Sequence, residues 1–237
     1  MIPDQSFILA AGLGTRLRPL TDTCPKPLAM VNGRSLLDRT LDGLSAAGIK
    51  KTLINTHHLA AQIERQVRSR KNPSITLSHE EKLLDTGGGI KKTLPFFEEK
   101  PFFVLSGDGL WEDAPEEKTL QAMAERWDPD AMDILIVLQA LETMNLTQGA
   151  GDYDISADGR AVRSKNKTGK YMFTGMRINH PRIFDGAPEG AFSYLALLDQ
   201  AEKAGRLYAL IHKGAWHHIS TPDDLAAVEH FYRDQNL

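Results

Sequence analysis

Across 237 residues the chain carries 28 Lys+Arg against 31 Asp+Glu, with 41% hydrophobic and 25% charged residues. That balance matches an ordinary folded domain and excludes a disordered or low-complexity scaffold. The net charge of −3 supplies no general attraction to nucleic acid or an anionic membrane, so neither partner is expected. The single cysteine, Cys24, excludes an internal disulfide and a cysteine-rich zinc site. The opening MIPDQSFILAAG has no basic start and only a short apolar run, so a reduced, cytoplasmic protein is expected.

Residues 6–11 (SFILAA) read as a strand buried on both faces. Residues 12–32 are rich in Gly, Pro and Thr and longer than a simple turn requires; loops of that length in compact domains usually carry function. Ser35 is placed to cap a helix over 36–47, with Leu37, Leu41 and Leu44 on one face and Gly48 as its stop. Residues 51–55 read as a second strand. Leu59, Ile63 and Val67 mark a second helix, and 74–78 and 102–106 (FFVLS) two further strands. Residues 116–127 read as a helix, 132–140 and 171–179 as strands, and 193–204 as a helix ended by Gly205. Residues 207–212 and 215–219 follow as short strands, and Pro222 suits the first turn of a final helix. Alternation at this spacing predicts an α/β fold, a Rossmann-like and mostly parallel sheet with helices on both faces. The polar, Gly-rich stretch 149–170 is read as a small β lobe on the ligand side.

The most informative stretch is Leu9-Ala10-Ala11-Gly12-Leu13-Gly14-Thr15-Arg16-Leu17-Arg18-Pro19-Leu20-Thr21, followed by Pro25-Lys26-Pro27-Leu28. Glycines directly after a buried strand let the backbone approach a phosphate with its N–H groups toward the anion. Arg16 offers a planar fork of donors, and Lys26 a point charge held between two prolines. A dinucleotide fingerprint is excluded because Leu17 stands where its third glycine belongs, and no P-loop G-K-[ST] occurs.

These motifs resemble the opening of the sugar-1-phosphate nucleotidyltransferases, the NDP-sugar pyrophosphorylases. Later blocks agree: Asp85-Thr86-Gly87-Gly88-Gly89-Ile90, Ser106-Gly107-Asp108, Gly151-Asp152-Tyr153, Phe173-Thr174-Gly175 and the run from Trp216 to Pro222. The L-x-T-G-G-G form and the short length are most similar to the branch that joins UTP to N-acetylmuramate α-1-phosphate. The resemblance implies a single domain over 1–237, with a nucleotide-binding half over about 1–140 and a sugar-binding half over about 141–237. Its partners are then a nucleoside triphosphate and a sugar 1-phosphate. Mannose-1-phosphate guanylyltransferases and glucose-1-phosphate thymidylyl- or uridylyltransferases share the same loop. A catalytically weak nucleotide sensor of the same fold is the alternative from another class.

In such a reaction the sugar phosphate attacks the α-phosphorus of the triphosphate and pyrophosphate leaves. The nucleophile is already an anion, so catalysis reduces to positioning and charge neutralisation. The resemblance assigns Arg16, Lys26 and Asp108 to catalysis. Ala11, Gly12, Gly14, Thr15, Arg16, Lys26, Glu81, Gly87 and Gly88 are assigned to the nucleotide, with Gly87–Gly89 lying under the base. Ser106, Asp152, Thr174 and Gly175 fall to the sugar phosphate. Asp108 is the expected Mg²⁺ ligand. The second metal Asp of the family aligns with His218, an imidazole better suited to Mn²⁺ or Co²⁺; a hydrogen bond to phosphate, a metal held through water and a structural histidine are the alternatives for it, and Ser106 replaces a frequent Asn. His57, His58 and His79 carry no zinc-ligand spacing. The aromatic residues Trp111, Trp127, Phe96, Phe97, Phe102 and Phe103 read as packing, and Arg65, Arg68, Arg70 and Lys71 as a solvated helix face.

Overall fold

The first apolar run becomes β1 (Gln5–Leu9), in which Gln5, Ser6, Phe7 and Ile8 are all buried. The structure, a computed structural model, describes residues 3–234. After β1 come a small hairpin, β2 (Met30–Val31) and β3 (Arg34–Ser35), then α1 (Leu36–Ala46), β4 (Lys51–Thr56), α2 (Ala60–Val67) and β5 (Ser74–His79). The chain continues through α3 (Asp85–Lys91), β6 (Phe102–Ser106), β7 (Gly109–Glu112), α4 (Thr119–Arg126) and β8 (Ile134–Ala140). It closes with β9 (Tyr153–Ile155), β10 (Ala161–Arg163), β11 (Tyr171–Asn179), α5 (Leu195–Lys203), β12 (Leu207–Ile211), β13 (Ala215–His218) and α6 (Pro222–Asp234).

The main sheet runs β12-β8-β11-β6-β1-β4-β5. Pairings β1–β4, β1–β6, β4–β5 and β8–β12 are parallel; β11 runs antiparallel to β6, β8 and β9, and β10 extends the same sheet antiparallel to β9. Strand alternation divides the core between the faces. Ile8, Ile54, Phe103 and Leu105 pack with Leu37, Leu41, Leu44 and Ile63 of α1 and α2. Phe7, Leu53, Phe102 and Val104 pack with Ile90 of α3 and with Leu197, Leu198 and Ala201 of α5. A third apolar group, including Leu17, Val31, Leu110, Ile219 and Tyr232, fastens α6 to the loop after β1 and to the antiparallel β7–β13 ribbon. The carboxyl ends of β1, β4, β5 and β6 therefore share one edge, where open α/β sheets place their ligands.

One element, α3, is new, and two local readings are corrected. The stretch 87–89 is helical within α3, although Gly is a poor helix former, because tertiary packing at those positions leaves no room for side chains. The helix expected from residue 116 starts at Thr119, since Ala114 and Glu117 first close a turn. Arg70 is not merely solvated: it pairs with Asp42 at 2.8 Å and tethers α2 to α1. Among the described residues no helix is long and apolar enough to cross a membrane.

A buried histidine gives the fold a pH response. His212 Nε2 donates to the Ala215 carbonyl (3.1 Å), which leaves Nδ1 to accept from the Thr119 hydroxyl (2.8 Å). Burial pushes its pKa below the ordinary value of 6.5. The unfolded chain therefore takes up a proton that the native state refuses, and stability is lost as pH falls below about 6.5. The thermal midpoint is expected to drop between pH 7.5 and 5.5, with a shallower slope in His212→Gln; an identical slope in that variant would contradict this assignment.

Candidate active site

The loop after β1 is built to bring a cation to the sheet edge. Gly14 adopts a left-handed conformation (φ 62°) and its carbonyl accepts the Thr21 hydroxyl at 2.8 Å. A Cβ at Gly14 would lie 2.8 Å from Thr21 Cγ2 and 3.2 Å from Lys26 Cβ, so only glycine allows this fold-back. His58 Nε2 donates to the Thr21 carbonyl (2.7 Å) and Gln62 to that of Thr23 (2.8 Å), which anchors the loop on α2 and the turn before it.

Lys26 opens a 3₁₀ turn between its two prolines. Pro27 packs over Gly107, whose missing side chain lets the ends of β1 and β6 close up; Gly107 N–H donates to the Leu9 carbonyl at 2.9 Å. The buried Lys26 Nζ thereby lies 2.7 Å from Asp108 Oδ2. Arg16 is exposed and makes no ion pair or side-chain hydrogen bond among the described residues.

Two adjoining cavities meet here. One, of about 530 Å³, is lined by Ala11, Gly12, Gly14, Thr15 and Lys26 together with Asn55 and Glu80. The other, of about 370 Å³, is lined by Phe173, Thr174, Gly175, Arg177, Tyr194 and His218 among others. Arg16, Thr86, Ser106 and Asp108 border both. Burial pushes the His218 imidazole below its ordinary pKa; Asp108 opposes that shift, and Lys26 and Arg16 reinforce it. Asp108, Lys26 and Arg16 thus all act on His218 across the junction.

A family profile described as nucleotidyl transferase matches residues 5–146. N-acetylmuramate alpha-1-phosphate uridylyltransferase of Caulobacter vibrioides is 36% identical over 96% of this chain and 96% of its own length. The enzyme of the same name from Neisseria meningitidis serogroup B is 30% identical over 92% and 93%. The chain belongs to the nucleotidyl transferase family. The solved structure of HddC from Yersinia pseudotuberculosis complexed with GMP-PN, 24% identical, has the same fold, with a TM-score of 0.77 over 98% of this chain and 100% of that one.

Within this nucleotidyl transferase, the cavities gather most of the residues read from the sequence, with four exceptions. Glu81 is exposed and outside the lining, while its neighbour Glu80 is buried within it. Glu80 Oε1 accepts from Asn55 Nδ2 (2.8 Å) and Oε2 from the Leu84 N–H (2.9 Å), and Asn55 Oδ1 accepts from the Ala10 N–H (2.7 Å). Gly87 and Gly88 are buried beneath the segment before α5, facing Phe192 and the Gly190 carbonyl, and a Cβ at Gly89 would meet Glu80. Asp85 and Thr86, at the start of the same helix, line the cavity instead.

Asp152 is the fourth exception. Its carboxylate accepts from the Phe173 N–H (3.1 Å) and pairs with Lys167, which ties the β9–β10 lobe to β11 and leaves it out of the cavity wall. Thr174 and Gly175 do line the wall: the Thr174 hydroxyl donates to the Val137 carbonyl (2.9 Å), and Gly175 lies tight against Ser106. His57 Nδ1 donates to the Glu80 carbonyl at 2.7 Å, a structural use.

Proposed function

We propose that the protein transfers UMP from UTP to N-acetylmuramate α-1-phosphate, forming the UDP-sugar and releasing pyrophosphate. The observation that carries this reading is the Lys26–Asp108 pair at 2.7 Å, set where two cavities join beside Arg16, which is unpaired among the described residues. The base and sugar follow the names of the two relatives that align along almost the whole chain.

The triphosphate lies in the cavity of the Gly12–Arg16 turn, and the sugar phosphate reaches it from the other side. Backbone N–H groups of the turn and Arg16 hold the β- and γ-phosphates, and Arg16 neutralises the charge that develops on departing pyrophosphate. Lys26 leaves Asp108 to lie between the α-phosphate and the attacking phosphate, lowering the repulsion between two anions. No protein nucleophile or strong base is required, because a phosphate monoester is already ionised near neutral pH.

Residues for a divalent cation are present. Asp108 has one carboxylate oxygen beyond the one that Lys26 holds, and His218 stands on the same wall. No group of three or more acidic, His or Cys side chains is assembled among the described residues, which suits a cation such as Mg²⁺ that keeps waters and phosphate oxygens in its shell. When bound, such an ion would offset phosphate charge; His218 in the second position favours Mn²⁺ or Co²⁺ more than a carboxylate there would.

A matrix of nucleoside triphosphates and sugar 1-phosphates, run with Mg²⁺, Mn²⁺ and Co²⁺ and read by pyrophosphate release, tests the reading. UTP with N-acetylmuramate α-1-phosphate is expected to give the highest kcat/KM. A higher value for another pair, such as GTP with mannose 1-phosphate, would overturn the base and sugar and keep the class. Nucleotide binding with no turnover anywhere in the matrix would overturn the class in favour of a sensor.

A further inference from the structure

The sugar-side cavity contains a cation that the reaction as described does not use. Arg177 lies on β11 between Val104 of β6 and Ile136 of β8 and is 3% exposed. Its Nη1 donates to the Gly175 carbonyl (3.1 Å), and the guanidinium carbon stands 3.8 Å from the centre of the Tyr194 ring. Nε and Nη2 have no partner, and no carboxylate pairs with the group among the described residues. Burial pushes its pKa down, yet an arginine starts so high that it remains charged.

Buried donors are nearly always matched, and an enclosed charge without a counter-ion is strongly unfavourable. Neither the Tyr194 ring nor one carbonyl supplies a negative charge. The unmatched donors form two adjacent sites of a planar fork, the shape that receives a carboxylate or phosphate through two parallel bonds. Arg177 also borders the cavity that holds Thr174, Gly175 and Ser106, on the sugar side of the junction. The phosphate of the substrate has Lys26 and Arg16 at that junction, so the anion for Arg177 belongs to another part of the sugar.

We propose that Arg177 determines sugar specificity by binding a carboxylate carried on the sugar ring of the acceptor. This rests on the functional reading above, since N-acetylmuramate differs from N-acetylglucosamine by an ether-linked lactic acid. The lactyl carboxylate approaches from the cavity and replaces part of the cover that the Tyr194 ring gives the guanidinium. The ion pair then forms in a site already stripped of water, where a neutral sugar leaves the charge unmatched. Discrimination by an unmatched buried group is far stronger than by shape alone.

The test compares N-acetylmuramate α-1-phosphate with N-acetylglucosamine α-1-phosphate, each with UTP, in wild type, Arg177→Met and Arg177→Lys. Wild type is expected to prefer the acidic sugar. Arg177→Met should lose about 100-fold in kcat/KM on it, chiefly through KM, while changing the neutral sugar by less than about threefold. Arg177→Lys, which keeps charge without the fork, should fall between. The thermal midpoint of Arg177→Met should hold or rise, because an unmatched cation is replaced by an apolar chain.

Equal losses on both sugars, or a fallen midpoint with both activities reduced, would overturn the assignment and make Arg177 structural or a phosphate ligand. Equal wild-type turnover of the two sugars would also overturn it while leaving the transferase reading intact. Wild type inactive on every sugar 1-phosphate would overturn both.

Discussion

Lys26→Met is expected to lower kcat by about 10³-fold, the upper range for removing one preorganised charge from a transition-state site. The side chain is buried, fixed by Pro25 and Pro27, and held beside Asp108 at the cavity junction, so in the proposed reaction its ammonium exchanges one anionic partner for another without leaving the site. Met preserves most of the apolar stem, and the loop is held independently by the Gly14–Thr21 and His58–Thr21 hydrogen bonds, so folding should survive. Circular dichroism checks that point, and pyrophosphate release gives the rate. Asp108→Asn should also be severe, and the double variant should lose much less than the product of the single losses, because the two groups act as a unit. A loss below about tenfold in Lys26→Met would place the ammonium outside the reacting centre.

Much of the scaffold is legible in the residues because the strands are short, apolar and bounded by turn formers. Phe102–Ser106 and Tyr171–Asn179 coincide with β6 and β11, and Ser35 caps α1 through its hydroxyl and the Asp38 N–H at 3.1 Å. The loop after β1 is equally legible, since its glycine turn, Arg16 and proline-flanked Lys26 do come together on the wall of one cavity. What sequence reasoning misses depends on contacts between distant parts of the chain. Which of Glu80 and Glu81 turns inward depends on Asn55 at the end of another strand. The three glycines at 87–89 look like a loop until Phe192 and the Gly190 carbonyl, about a hundred residues on, are seen packed against them. Asp152 carries the right chemistry for a sugar hydroxyl, and its pairing with Lys167 and the Phe173 N–H is set by residues well along the chain. Arg177 has a usable signal, a lone charge inside the buried run Tyr171–Asn179; that its Nε and Nη2 are unmatched among the described residues becomes visible only in three dimensions.

Arg16→Ala separates binding from catalysis, and the structure indicates which should suffer. Arg16 is exposed, unpaired among the described residues and borders both cavities, so its removal breaks no packing and should leave the thermal midpoint unchanged within about 1 °C. The ground-state triphosphate retains the backbone amides of the Gly12–Arg16 turn and Lys26, so nucleotide Kd, read by calorimetry, should weaken by no more than about fivefold. The charge that grows on the departing pyrophosphate has no substitute for the guanidinium, and kcat should fall by about 10²- to 10³-fold. Added guanidinium ion is expected to restore part of that rate, since the truncated side chain leaves an open, solvent-reached gap rather than a collapsed core. Parallel losses in kcat and in affinity would instead show that Arg16 holds the triphosphate equally before and during transfer, and its role would reduce to binding.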